Sequence, residues 1–167
     1  FIKLDVNKKI KVKKIINEYN PNKIFYFAGQ SSLTKSLKDK KGTFISHFNG
    51  TKNFLDVMRE ENLKIKFFKA NSGYIFSPKK GRIDINCKFS SNNNPYIKAQ
   101  QKTFKLIKKY RKFGLKLFNL VFMQIESPLR PNDFFIKKVC LGAKYEKKII
   151  VGNINTFRDY SWVTEII

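Results

Sequence analysis

Acidic side chains are scarce in this sequence: 12 Asp+Glu stand against 35 Lys+Arg, a formal charge of +23. Read directly, so little negative charge predicts phosphate binding through counterion release. The lysines, however, are spread along the whole chain, arginine is scarce, and Asn, Ile and Phe are abundant too, which reads as a sequence-wide compositional bias. Reading of base edges favours Arg, Asn and Gln in a defined motif, and the sequence has no zinc-finger spacing, RRM signature or helix-turn-helix. Nucleic-acid binding therefore stays a minority reading. His47 is the one histidine, which leaves no sensible zinc set. Cys87 and Cys140 are too few for a disulfide framework and favour free thiols in a reducing compartment. No apolar run is long enough to cross a bilayer, and the amino end, F-I-K-L-D-V-N-K-K-I, lacks a signal-peptide pattern. The expectation is a cytoplasmic protein with no membrane partner. The first residue is Phe1 and not Met, so a start in mid-gene is expected.

What is present is apolar content enough for an ordered core, 42% over 167 residues, the size of one domain. Four apolar runs read as buried strands: Lys23–Gly29 (K-I-F-Y-F-A-G), Ile65–Ala70 (I-K-F-F-K-A), Leu115–Met123 and Lys148–Val151. They are near-continuous, as expected of parallel strands covered on both faces. Helical spacing predicts a segment with Val12, Ile15, Ile16 and Tyr19 on one face, capped by Asp5 or Asn7 and stopped by Pro21. A second helix is expected through Phe44, Phe48, Thr51, Phe54, Leu55 and Met58. A third runs from Pro95, with Tyr96, Ala99, Thr103, Leu106, Ile107 and Tyr110 on one side, to near Gly114. Alternation of this kind means βα units around a parallel sheet, so the fold class is α/β. The turn-rich stretch Ser77–Asn94 is too long for a tight connection and suits a ligand-surrounding loop at the carboxyl edge of the sheet.

The strand ends carry a set of short matches in order: L-D-V, F-A-G-Q-S, N-G-T-K-N-F-L-D, N-S-G-Y, N-P-Y, E-S-P-L-R and G-N-I-N-T-F-R-D. Each is weak by itself, but in this order and spacing the chain resembles the GDP-mannose 4,6-dehydratase family, extended short-chain dehydrogenase/reductases that hold NADP. The resemblance implies a partial Rossmann-like, doubly wound parallel sheet lacking its first strands. It implies one incomplete NAD(P)-binding domain over 1–167, with most of the carboxyl-terminal substrate region absent. It places Asp5 and Val6 by the adenine and Phe27, Ala28, Gly29, Gln30 and Ser31 along the cofactor. Ser72 falls at the catalytic threonine, Tyr96 at the catalytic tyrosine, and Arg130 at an arginine that reaches NADP. Asn153, Arg158 and Asp159 lead toward the sugar-nucleotide side. A GDP-sugar is the implied substrate.

The departures from the family matter as much. Helix residues advance about 100° each, so residues four apart share a face. The family has a lysine four places after its tyrosine, and this chain has Gln100, with Lys98 and Lys102 turned elsewhere. A tyrosine left alone titrates near about 10, which leaves about one phenolate in a thousand at neutral pH. Gln100 can hydrogen-bond a ribose hydroxyl but supplies no charge. Tyr74 stands where the family has a glutamate that moves protons during elimination of water, and a phenol has the wrong resting acidity for that task. No G-x-x-G-x-x-G turn is present to bind the pyrophosphate. Impaired or absent catalysis by this chain alone is therefore expected. The other reading is a non-catalytic subunit or assembly partner: a homo-oligomer through Thr43–Glu61 and Pro95–Phe113, or a complement to a missing amino-terminal half. Without the resemblance, Tyr96 reads as a buried helix tyrosine, Ser72 as a strand-end serine, Asp5 as a cap, Arg130 as a surface residue and His47 as an ordinary helix residue.

Overall fold

The computed structural model describes residues 1–152 and 154–166. They form two compact units, Phe1–Val121 and the stretch that begins at Phe122. The first unit contains α1 (Lys9–Tyr19), β1 (Lys23–Tyr26), α2 (Leu33–Lys38) and α3 (Lys40–Phe44). A π-helical turn, Ile45–Asn49, leads directly into α4 (Gly50–Glu60). Then come β2 (Lys66–Ser72), a short 3-10 turn at Gly73–Ile75, α5 (Pro95–Arg111) and β3 (Leu117–Phe122). The strands form one sheet in the order β1-β2-β3, with β1 parallel to β2 and Tyr26 opposite Lys69. This is the α/β arrangement expected from the alternating pattern.

The core lies where α1, α4 and α5 meet the sheet. Val12 and Ile16 of α1, Phe54, Leu55, Val57 and Met58 of α4, Phe67 of β2 and Ile107 of α5 form one buried cluster. Each such side chain contributes roughly 1.5–3 kcal/mol on burial. Tyr110 of α5 donates to Asp56 Oδ1 of α4 at 2.5 Å, a polar tie across the same helix pair. α1 departs from expectation at both ends. Its N-cap is Lys8, without a side-chain bond, because the Asp5 carboxylate accepts from Asn7 N and closes a turn ahead of the helix. Tyr19, expected on the core face, is 56% exposed, since Asn20 turns left-handed (φ 39°) and ends the helix there.

Among the described residues the sheet is not covered on both faces as expected. Phe25, Phe68 and Phe118 stack ring on ring at 4.7 and 4.8 Å across the three strands, and Phe25 remains 57% exposed. The long loop after β2 folds on itself: Phe76 bridges Phe89, and both rings pack on Phe104 of α5.

In the second unit β4 (Gln124–Glu126) pairs in parallel with β5 (Tyr160–Trp162), and α6 (Phe135–Lys144) lies between them in sequence. The expected strand Lys148–Val151 is irregular. Ile149 instead packs on the helix at Gly142, where an added Cβ would sit 2.3 Å from Ile149 Cγ2. Among the described residues no helix is long and apolar enough to cross a membrane.

Candidate functional site

Asn94 sets the start of α5. Its Oδ1 accepts from Tyr96 N at 3.0 Å and from Ser36 Oγ at 3.0 Å, while its Nδ2 donates to Leu33 O, so the cap also pins α2. With Pro95 at the first helical position, the N-P-Y stretch is a strong helix start. Tyr96 is thereby held at the buried end of the helix, 8% exposed. Gln100, one turn on and 3% exposed, donates from Nε2 to the Tyr96 hydroxyl at 3.3 Å. Its Oε1 is buried with no hydrogen-bond partner.

Ser72 ends β2, buried, with its hydroxyl accepting from Tyr74 N at 3.3 Å. Its own N–H donates to Asn71 Oδ1 at 2.9 Å, and Asn71 Nδ2 donates to Gln100 O at 3.4 Å. The end of β2 is thus tied to the turn of α5 that carries the Tyr96–Gln100 pair. Tyr74 lies half-buried in the 3-10 turn.

Phe27 to Ser31 leave the carboxyl end of β1 as a turn, exposed except at the half-buried Gln30. Gly29 has φ +135°, and a Cβ there would meet the His47 ring at 2.4 Å, so both the backbone and the space require glycine. His47 Nε2 donates to Gln30 O at 2.7 Å, which fixes the tautomer and leaves Nδ1 as the lone-pair nitrogen. The imidazole also meets the Tyr96 ring edge-on, with centroids 5.5 Å apart. The turn after β1, the π-helical turn and the start of α5 therefore converge through His47. Burial, then the charge of Lys69, pull its pKa down to about 4, against the Gln30 carbonyl. Asp5 is exposed beside its turn, and Val6 offers its carbonyl to Asn53 Nδ2 at 2.9 Å.

The reading of the sequence missed Lys69. It is 1% exposed in the middle of β2, and burial pulls its pKa down to about 7. The signal was present: in K-F-F-K-A-N-S, strand alternation puts Phe67, Lys69 and Asn71 on one face, and Phe67 is a core residue. In a chain this rich in lysine, that signal is easily lost.

Arg130 belongs to the second unit. Its guanidinium lies 3.8 Å over the Phe134 ring, and its Nε stands 3.8 Å from Glu126 Oε2, too long for a hydrogen bond. Asp159 O accepts from Gln124 N, and Arg158 is exposed in the segment before β5. Asn153 lies outside the described residues.

A family model described as GDP-mannose 4,6 dehydratase matches residues 1–167. The chain belongs to the GDP-mannose 4,6-dehydratase family. A GDP-mannose 4,6-dehydratase of Sinorhizobium fredii (strain HH103) is 23% identical over 163 residues, covering 92% of this chain and 46% of that protein. Among solved structures, UDP-glucuronic acid 4-epimerase from Bacillus cereus superposes with a TM-score of 0.87 at 17% identity, covering 99% of this chain and 52% of its own. dTDP-glucose 4,6-dehydratase from Bacillus anthracis follows the same fold with a TM-score of 0.84 at 18% identity, covering 99% and 51%. The chain thus spans about half the length of the relatives it matches. Within this family fold, the groups that could hold a nicotinamide dinucleotide are the turn at Gly29, the Tyr96 hydroxyl and Gln100. The buried, unpartnered Gln100 Oε1 fits them to that group, as an acceptor for a sugar hydroxyl.

Proposed function

We propose that this chain forms the nicotinamide side of a sugar-nucleotide 4,6-dehydratase site. It holds NADP at Tyr96, Gln100 and the turn Phe27–Ser31, with Asp5 and Val6 as further contacts, and it converts GDP-mannose slowly or not at all by itself. The observation that carries this reading is the 3.3 Å hydrogen bond from Gln100 Nε2 to the Tyr96 hydroxyl. An amide in that place orients the phenol as a base would be oriented, yet brings no positive charge to favour the phenolate. Ser72 sits at the hydroxyl position of the family pattern, while Tyr74 brings a phenol where proton transfer needs a carboxylate. The dinucleotide, when bound, supplies the hydride acceptor; the chain's part is to position it and to hold the proton.

Calorimetry with NADP tests this on the native chain, on Gln100→Lys, and on Gln100→Lys with Tyr74→Glu. The native chain is expected to bind, and the double variant to gain dehydration of GDP-mannose. Absence of binding by all three forms defeats the reading. A non-catalytic assembly partner is the second reading, favoured by the open stack of Phe25, Phe68 and Phe118. A strictly monomeric chain at high concentration in light scattering counts against it.

A further inference from the structure

Lys69 is a buried amine without a carboxylate partner among the described residues. Its Nζ donates to Ala70 O and lies 5.3 Å from the Tyr26 ring centroid. An ammonium carries three N–H donors, so one carbonyl leaves it poorly satisfied, and burial favours the neutral amine. Two buried acceptors of the same seam also lack partners, His47 Nδ1 and Gln100 Oε1. Tyr26, whose ring lies next to the Lys69 amine, donates to Ser46 O beside His47; His47 touches Tyr96, and Gln100 bonds the Tyr96 hydroxyl. Asn71, on the Lys69 face of β2, bonds the backbone of Gln100. Lys69 and Tyr96 therefore face one polar seam between β2, the π-helical turn and α5.

We propose that Lys69 is a positioning residue for Tyr96 that takes up its phenolic proton and so provides the positive charge that Gln100 does not. The inference rests on the reading of Tyr96 as the base of the site. In the step, the Tyr96 O–H bond breaks and an N–H bond forms on the neutral amine, leaving phenolate and ammonium with no change in net charge. The new ammonium keeps Ala70 O as an acceptor, and the unpartnered His47 Nδ1 and Gln100 Oε1 belong to the same seam. The titratable groups facing Lys69 are Tyr26 from β1 and His47 from the π-helical turn. Tyr26 does not compete, because it donates to Ser46 O at 2.6 Å and its burial raises its pKa. His47 does not compete either, because its Nε2–H is committed to Gln30 O.

The test reads ionisation directly and needs no dinucleotide. The ultraviolet tyrosinate band is titrated for the chain and for Tyr96→Phe, and their difference isolates Tyr96; the pair is repeated with Lys69→Met in both. At a given pH the Lys69 background is expected to hold at least about tenfold more Tyr96 phenolate than the methionine background. Coincident titrations in the two backgrounds overturn the proposal. A second measurement leaves Lys69 in place: the carbon resonance beside its amine is followed against pH in the native chain and in Tyr96→Phe. Its titration should finish at lower pH once the phenol is gone, and an unchanged curve also overturns the proposal. Because neither readout involves NADP, failure here leaves the dinucleotide reading standing, and failure to bind NADP leaves the pair standing.

Discussion

Replacing Lys69 by methionine should stabilise the fold, and by an amount that depends on pH in a defined way. Lysine ordinarily titrates at 10.5, and burial in β2 pulls Lys69 down to about 7. Between those values the unfolded chain binds a proton that the folded chain refuses, so the stability of the native protein rises with pH across the window. At 1.36 kcal/mol per pH unit, the penalty from Lys69 is on the order of 4–5 kcal/mol at about pH 6. It falls to roughly 3 kcal/mol near pH 8.5 and to about 1 kcal/mol or less at pH 10. Methionine has similar length and no charge, so Lys69→Met removes the penalty while keeping most of the packing. Urea unfolding of both proteins at these three pH values measures the gap. The methionine variant should be the more stable at low pH, and the two curves should converge as pH rises toward 10. Parallel curves would mean that the amine is hydrated and charged, and the argument from its burial would be wrong.

The single histidine gives one imidazole signal, which by nitrogen NMR should show the Nε2–H tautomer and remain neutral down to about pH 4. The unfolded imidazole protonates near 6.5, so stability should fall as pH drops from there toward 4, and Lys69→Met should raise the His47 titration by removing a nearby positive charge. Gly29→Ala forces a side chain into φ +135° and onto the imidazole. It should cost more than about 2 kcal/mol in chemical denaturation and disturb the same imidazole signal. Tyr110→Phe deletes the 2.5 Å bond to Asp56 and should cost about 1–2 kcal/mol. Burial raises the Asp56 pKa, but the bonds from Lys52 and Tyr110 outweigh it and leave the carboxyl below its usual range, so carbon NMR should show it rising in that variant.

The helices were legible where the signal is local. Asn94 and Pro95 mark the start of α5, and its apolar spacing names the face that the structure buries. The π-helical turn was not legible, because nothing in I-S-H-F-N departs from helical composition; the register shifts where His47 reaches Gln30 and packs on Tyr96. The strand expected at Lys148–Val151 did not form, for a similar reason. Lys148–Val151 has the more strand-like composition, but Ile149 fits the hollow at Gly142 of α6, and the pairing edge goes to Tyr160–Trp162.

By itself, the sequence determined the α/β alternation and the family, the latter through short motifs in a fixed order. These depend on residue order and on helix and strand periods, which are properties of the chain alone. The tertiary structure decided which of the many lysines is buried, which carbonyl fixes the His47 tautomer, and which acceptors lack partners beside Tyr96. Burial and hydrogen-bond satisfaction are set by segments distant in sequence, here β1, β2, the π-helical turn and α5, and only their packing turns one ordinary lysine into a buried amine whose pKa is pulled down.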